Sequence, residues 1–147
     1  NYAEYNTELF KYSNLQIGIG KKDDICFEIP KNSIDYGKKI AAYYFWLFPN
    51  MMFNFYPWGL SINIVIPINP EKTKVKFLSY IWDESKLNTG AGAEIDKVEQ
   101  EDEEIVEQVQ RGVKSRFYDR GHFSPSMEKG VHHFHLLLSK FIDANSE

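Results

Sequence analysis

The segment VEQEDEEIVEQVQ, residues 98 to 110, sets Glu99, Glu101, Asp102, Glu103 and Glu104 among regularly spaced valines and isoleucines. An acid run of this kind is usually the solvated face of a helix. With Ile95 as zero and about 100° per residue, Val98, Ile105, Val109, Val113 and Val106 fall at roughly 300°, 280°, 320°, 0° and 20°, and Asp102 at roughly 340°, inside their arc. Glu101, Glu103 and Glu104 fall at about 240°, 80° and 180° on the same wheel, away from its centre. A carboxylate in an apolar stripe must be protonated, paired with Lys or Arg, or bound to a metal, because burying it unpaired is costly. Arg116 lies about four helical turns further on, too far to be the partner.

Histidines could join a carboxylate at a metal. The chain has His122, His132, His133 and His135, the last three within VHHFHLL. His132 and His135 are spaced to share one side of a helix, which suits metal binding, yet a histidine bordering an apolar stripe is more often a core residue. No glycine-rich phosphate loop and no Ser/His/Asp order stands out.

These residues need elements to position them. The valine and isoleucine repeat predicts an amphipathic helix over about 93–118, and Val131, Phe134, Leu138, Phe141 and Ile142 predict a second over about 126–143. Upstream, within 2–82, the pattern is that of strands: one from Tyr2 to Ile19 followed by the polar turn KKDD, a short one at Cys26 to Ile29, then AYYFWLF, MMFNFY, LSINIVIP and KVKFLSYIW. Turn chemistry at PWG (57–59) and NPEKT (69–73) joins the later ones into an antiparallel meander. Strands first and helices last predict an α+β domain with helices laid over one sheet face. Between Tyr43 and Trp58 polar alternation vanishes and nine of sixteen residues are aromatic. Both faces there must therefore be covered by core, a partner subunit or a ligand cavity.

Composition narrows the function classes. A chain of 147 residues with 43% hydrophobic content holds one domain with its own core. A net charge of −4 offers no basic excess for phosphates, so neither nucleic acid nor an anionic membrane surface is an expected partner, and a small ligand is. Cys26 is the single cysteine, which excludes an internal disulfide and suits a reducing, cytoplasmic setting. Residues 40–70 carry no charge, but Pro49, Asn50, Asn54, Pro57, Gly59, Asn63 and Pro67 break that stretch into pieces too short to span a bilayer. The N-terminal NYAEYNTELFKYS has no leader pattern and no initial Met, so the native start is expected upstream.

Three stretches together, FPNMMFNFYPWGLSINIVIPINPEKTKVKFLSYIWD, VEQEDEEIVEQVQRGVKSRFYDRGHFSP and EKGVHHFHLLL, resemble the C-terminal catalytic domain of Rieske-type non-haem iron oxygenase large (alpha) subunits. The likeness is greatest to the branch containing choline and carnitine monooxygenases. It implies a helix-grip (START-like, SRPBCC) fold, a curved antiparallel sheet packed on a long C-terminal helical region, with residues 1–147 as a single, partial catalytic domain. It also implies that Asp102, from the ED pair, is the catalytic carboxylate ligand of a mononuclear Fe(II), a hard donor suited to a two-His, one-carboxylate site with positions open for O2. The family's two His ligands sit in a D-x-x-H-x-x-x-x-H stretch and its 2Fe-2S cluster ligands in an N-terminal domain; neither motif occurs here. The chain alone is therefore expected to be inactive and to hold no stoichiometric iron.

The activity the resemblance implies for the full-length protein is hydroxylation of a small organic substrate, a quaternary ammonium or aromatic compound, by a mono- or dioxygenase. Its partners would be O2, the substrate and a reductase or ferredoxin donor, in a homotrimer. Phe53, Phe55 and Trp58 are candidate pocket walls, Asn54 and Asn63 candidate orienting groups, and Val98 a candidate substrate neighbour, although for the rings and asparagines taken singly core or turn packing is the favoured reading. His122 stands where the family usually has Arg after the YDRG glycine, which weakens transfer of choline as the substrate. The alternative is a non-catalytic helix-grip domain that carries a small apolar ligand.

Overall fold

A computed structural model describes residues 5–93 and 95–145. Six strands, β1 (Tyr5–Leu9), β2 (Ser13–Ile19), β3 (Ile40–Leu47), β4 (Met51–Tyr56), β5 (Gly59–Asn69) and β6 (Lys72–Ile81), form one sheet in chain order. Every neighbouring pair is antiparallel. A 3₁₀ turn (Glu84–Lys86) and two helices, α1 (Ile95–Val113) and α2 (Lys129–Ala144), follow. This is the α+β order read from the sequence.

Local chemistry fixes the meander. At the β3–β4 turn, the Asn50 amide donates to the Val65 carbonyl at 2.8 Å while the Val65 N–H donates to the Asn50 carbonyl at 2.9 Å, so the hairpin tip is tied to β5. Pro57 and Trp58 close the β4–β5 hairpin, with Tyr56 opposite Gly59. Gly59 is required because a Cβ there would lie 2.2 Å from the Tyr80 carbonyl oxygen of β6. The Trp58 carbonyl accepts from the Trp82 and Asp83 backbone N–H groups, and the Trp82 indole donates to the Pro57 carbonyl at 3.0 Å, anchoring the end of β6. Asp83 then caps the 3₁₀ turn by accepting from the Ser85 N–H.

Alternation along the strands divides the sheet into two faces. On one, Leu15 and Ile17 of β2 pair with Phe45 and Tyr43 of β3, which pair with Phe53 and Phe55 of β4. Phe27 and Ile29 from the 20–39 connection cover this face at β2 and β3. On the other, Asn14 and Gln16 pair with Trp46 and Tyr44, which pair with Met52 and Asn54, with Asn63 and Ser61 beyond. α2 lies on this second face: Phe134 meets Trp46 edge-on at 5.2 Å, and Phe141 meets Phe48 at 4.7 Å. So do Leu87, Ala91 and Ile95, packed on Ala42, Tyr56 and Trp58. The loop thus covers the first face at β2 and β3, while α2 and the 87–95 segment cover the second.

Several boundaries differ from expectation. The strand expected from Tyr2 to Ile19 is two strands, because the Phe10 N–H bonds to the Ser13 carbonyl and turns the chain; positions 2–4 lie outside the described residues. Cys26 to Ile29 is extended but not a strand. Only the Phe27 N–H reaches the sheet, at the Ile40 carbonyl, and Pro30 removes the next donor. α1 ends at Val113, where i to i+3 bonds from Ser115 and Tyr118 replace the helical ladder after Gly112. α2 starts at Lys129 because residues 125–127 form a turn whose entry is fixed by the Ser124 N–H donating to the Glu128 carboxylate at 2.6 Å.

Candidate active site

α1 carries Asp102 near its middle. The helix is attached at its two ends: Ile95 packs on the Tyr56 and Trp58 cluster, and the Lys114 ammonium just beyond α1 donates to Glu71 at 2.7 Å. Glu71 lies in the β5–β6 turn, at the other end of β5 from Trp58. Nineteen residues reach about 28 Å, enough to run most of the length of β5. Between these anchors the apolar stripe is exposed: Val98 is 50% accessible, Ile105 56% and Val109 57%. Asp102 stands in that stripe, as its spacing requires, and is itself exposed. The inward burial suggested by periodicity is therefore not achieved within this chain.

The histidines do not converge on Asp102. The rings of His132 and His135 both pack edge-on against Phe123, at 5.1 and 5.2 Å, and His133 turns inward with its Nε2 buried and unbonded among the described residues. Among the described residues no three His, Cys, Asp or Glu side chains form a metal-holding group. Asp102 is a single hard oxygen donor on the exposed stripe of α1.

The candidate pocket residues separate. Asn54 and Asn63 lie on the helix-covered face with Ser61, whose hydroxyl donates to the Asn63 side-chain oxygen at 3.2 Å. Phe53 and Phe55 lie on the opposite face, Phe55 edge-on to Phe45 at 6.1 Å, so they share no wall with the two asparagines. The period of two makes this unavoidable for adjacent residues such as Phe53 and Asn54. Trp58 is a core residue, 1% exposed and stacked on Tyr56 at 5.2 Å. Gly92, at φ +80°, comes so close that a Cβ would sit 2.8 Å from the Trp58 indole nitrogen, which has no hydrogen-bond partner among the described residues. Val98 remains beside Asp102 on α1, one turn before it. Tyr44, Trp46 and Tyr56 lie on the helix-covered face, and Phe48 just after β3 packs on Phe141 of α2.

Two polar groups beneath α2 escaped the sequence reading. Asn14 and Gln16 alternate with buried Leu15 and Ile17, a pattern that reads equally as the wet face of a strand. They are half-buried under the helix instead.

The clearest electrostatic cluster is on the far face. Asp35 accepts from the Lys38 ammonium at 2.7 Å and the Tyr43 hydroxyl at 3.0 Å, and the Lys38 bond leads in holding its carboxyl below the usual range. Burial, then the bond to Asp35, pushes the Tyr43 phenol up to about 12. Burial and the nearby Asp24 raise the Cys26 thiol, which leaves it a poor nucleophile. No helix among the described residues is long and apolar enough to cross a membrane.

Against known proteins, the pattern of the ring hydroxylating alpha subunit catalytic domain matches residues 32–144. The chain is 42% identical over 141 residues to the chloroplastic choline monooxygenase of Arabidopsis thaliana, which covers 91% of this chain and 31% of that protein. It is 35% identical over 107 residues to the chloroplastic choline monooxygenase of Atriplex hortensis, covering 69% of this chain and 24% of that one. The chain thus spans a third or less of the length of these curated relatives. In fold it matches the quaternary ammonium Rieske monooxygenase CntA, solved with an inhibitor, at a TM-score of 0.65 and 22% identity, over 96% of this chain and 38% of that one. With the matched span reaching from the loop before β3 to the end of α2, the chain belongs to the catalytic-domain family of ring-hydroxylating oxygenase alpha subunits.

Proposed function

We propose that this chain is part of the catalytic domain of a Rieske-type non-haem iron oxygenase, and that Asp102 is the carboxylate it contributes to a mononuclear Fe(II). The observation that carries this reading is the placement of Asp102 in the apolar stripe of α1, within the family-matched span. As a hard oxygen donor Asp102 suits Fe(II). Iron, when bound, supplies the activation of O2. The chain's residues would do the rest: Asp102 holds the metal, Val98 one turn away excludes water beside it, and Asn54 and Asn63 orient polar atoms of the substrate from the sheet. Two histidines from outside this chain would complete the ligand set. A 2Fe-2S cluster in another domain, fed by a reductase or ferredoxin, would deliver electrons, with a homotrimer bringing the centres together.

For the substrate we favour a small quaternary ammonium compound over an aromatic acid. The relatives named above are choline monooxygenases, and a desolvated cation over a tyrosine or tryptophan face gains about 2 kcal/mol. Tyr44 and Trp46, which lie on the helix-covered face, are our candidate rings for it. Oxygen uptake by the full-length protein, with its reductase, should rise with choline, carnitine or a betaine and stay at background with aromatic acids. The reverse order would overturn the substrate class. The coding sequence upstream should contain D-x-x-H-x-x-x-x-H and Rieske cysteine motifs; if it lacks both, the carrier of a small apolar ligand is what remains. The compartment is a separate matter. A lone thiol supports a reducing cytoplasm, the chloroplastic names of the relatives make an organelle the rival, and fractionation of the full-length protein decides.

A further inference from the structure

On the sheet face opposite the two helices lies an open cleft of about 410 Å³, within the size range of small-molecule sites. Leu15, Phe45 and Phe55 of the strands form its base, Phe27 and Asp35 of the 20–39 connection line its side, and Tyr43 completes the lining. The four strand residues share one face by their pairing, and that face excludes Tyr44, Trp46, Asn54 and Asn63. The cleft is therefore separate from Asp102 and from the groups proposed to hold the oxygenase substrate.

Asp35 gives the cleft its chemistry. Among the described residues it is the one charged side chain in the lining, and that side chain is only 14% exposed. An ionised carboxylate has about four acceptor positions. The Lys38 ammonium takes one on Oδ1 at 2.7 Å, and the Tyr43 hydroxyl one on Oδ2 at 3.0 Å. Lys38 is half exposed and does not line the cleft, so it meets the carboxylate from outside. Acceptor positions thus remain on an anionic group that borders a cavity walled by aromatic rings. An ammonium group gains there from a charge-assisted hydrogen bond and from the ring faces, whereas an anion would meet the carboxylate with no cation in the lining. We propose that this cleft binds a small protonated aralkylamine, whose N–H groups donate to Asp35 while its apolar body rests on Phe45 and Phe55.

The test is calorimetric titration of the protein with phenethylammonium and with 2-phenylethanol, which keeps the skeleton and a hydrogen-bond donor but has no charge. Phenethylammonium should bind roughly tenfold more tightly, the difference a hydrogen bond to an ionised group makes. Asp35→Asn should abolish that advantage while the circular dichroism spectrum is kept. Lys38→Met removes the competing cation without touching the cleft, and it should tighten phenethylammonium binding roughly threefold and leave 2-phenylethanol unchanged. If Asp35→Asn fails to fold, the surface variant Lys38→Met decides alone. Absence of phenethylammonium binding, equal affinity for the two probes, an advantage that survives in folded Asp35→Asn, or a phenethylammonium affinity that Lys38→Met leaves unchanged or weakens would each overturn the proposal.

Discussion

Tyr43 shows how one side chain on the sheet becomes pH-sensitive. Its hydroxyl is half-buried and donates to Asp35, and both features oppose ionisation, burial first. As pH rises above 10 the unfolded tyrosine loses its proton, while the folded one keeps it until about 12. The folded state then holds the extra proton, so the stability this group provides is complete below pH 10 and is lost across that window. Urea unfolding of Tyr43→Phe should show a shallower alkaline decline than wild type, with a loss of about 1 kcal/mol at neutral pH from the missing hydrogen bond. Parallel alkaline declines would refute this. The residue scale is also where the sequence was most and least legible. The position of Asp102 in the stripe follows from spacing alone. That Phe53 and Asn54 could not share a wall was equally available from the strand period, whereas the burial of Trp58 depends on Tyr56 and Gly92 closing over it, which no local pattern announces.

At the scale of elements, the two helices contrast. α2 is held on the sheet through Phe134, Phe141 and buried Leu137, whereas α1 is fastened near its ends with its apolar stripe open. Leu137→Ala should therefore cost about 2–5 kcal/mol, and Val109→Ser on α1 should stay within about 0.5 kcal/mol, both by chemical denaturation of this chain. A large loss at Val109 would mean that the stripe is covered. Gly59→Ala drives a methyl group into the Tyr80 carbonyl, and a cost of about 1–3 kcal/mol is expected from thermal unfolding. Strands β3 to β6 were legible because proline, glycine and asparagine punctuate long apolar runs. The break at Phe10 was not, since LFKYSN alternates well enough to continue a strand. Helix ends were blurred where Gly112 and Pro125 give way to turns without changing the apolar period.

For the whole molecule, family membership and fold agree, and the chain covers a third or less of its curated relatives. An exposed apolar stripe with a carboxylate in it, and no three metal donors gathered among the described residues, are what a site shared with other parts of a longer protein would leave in one part. The fold was readable because element order needs only periodicity and turns. The iron site we propose was not, because the two-His motif it calls for does not occur in this sequence. The central claim is that Asp102 holds the iron, and metal analysis of the full-length protein tests it most directly. Asp102→Ala should lose the mononuclear iron while the 2Fe-2S absorption spectrum stays unchanged. Iron content equal to wild type in that variant would contradict the assignment.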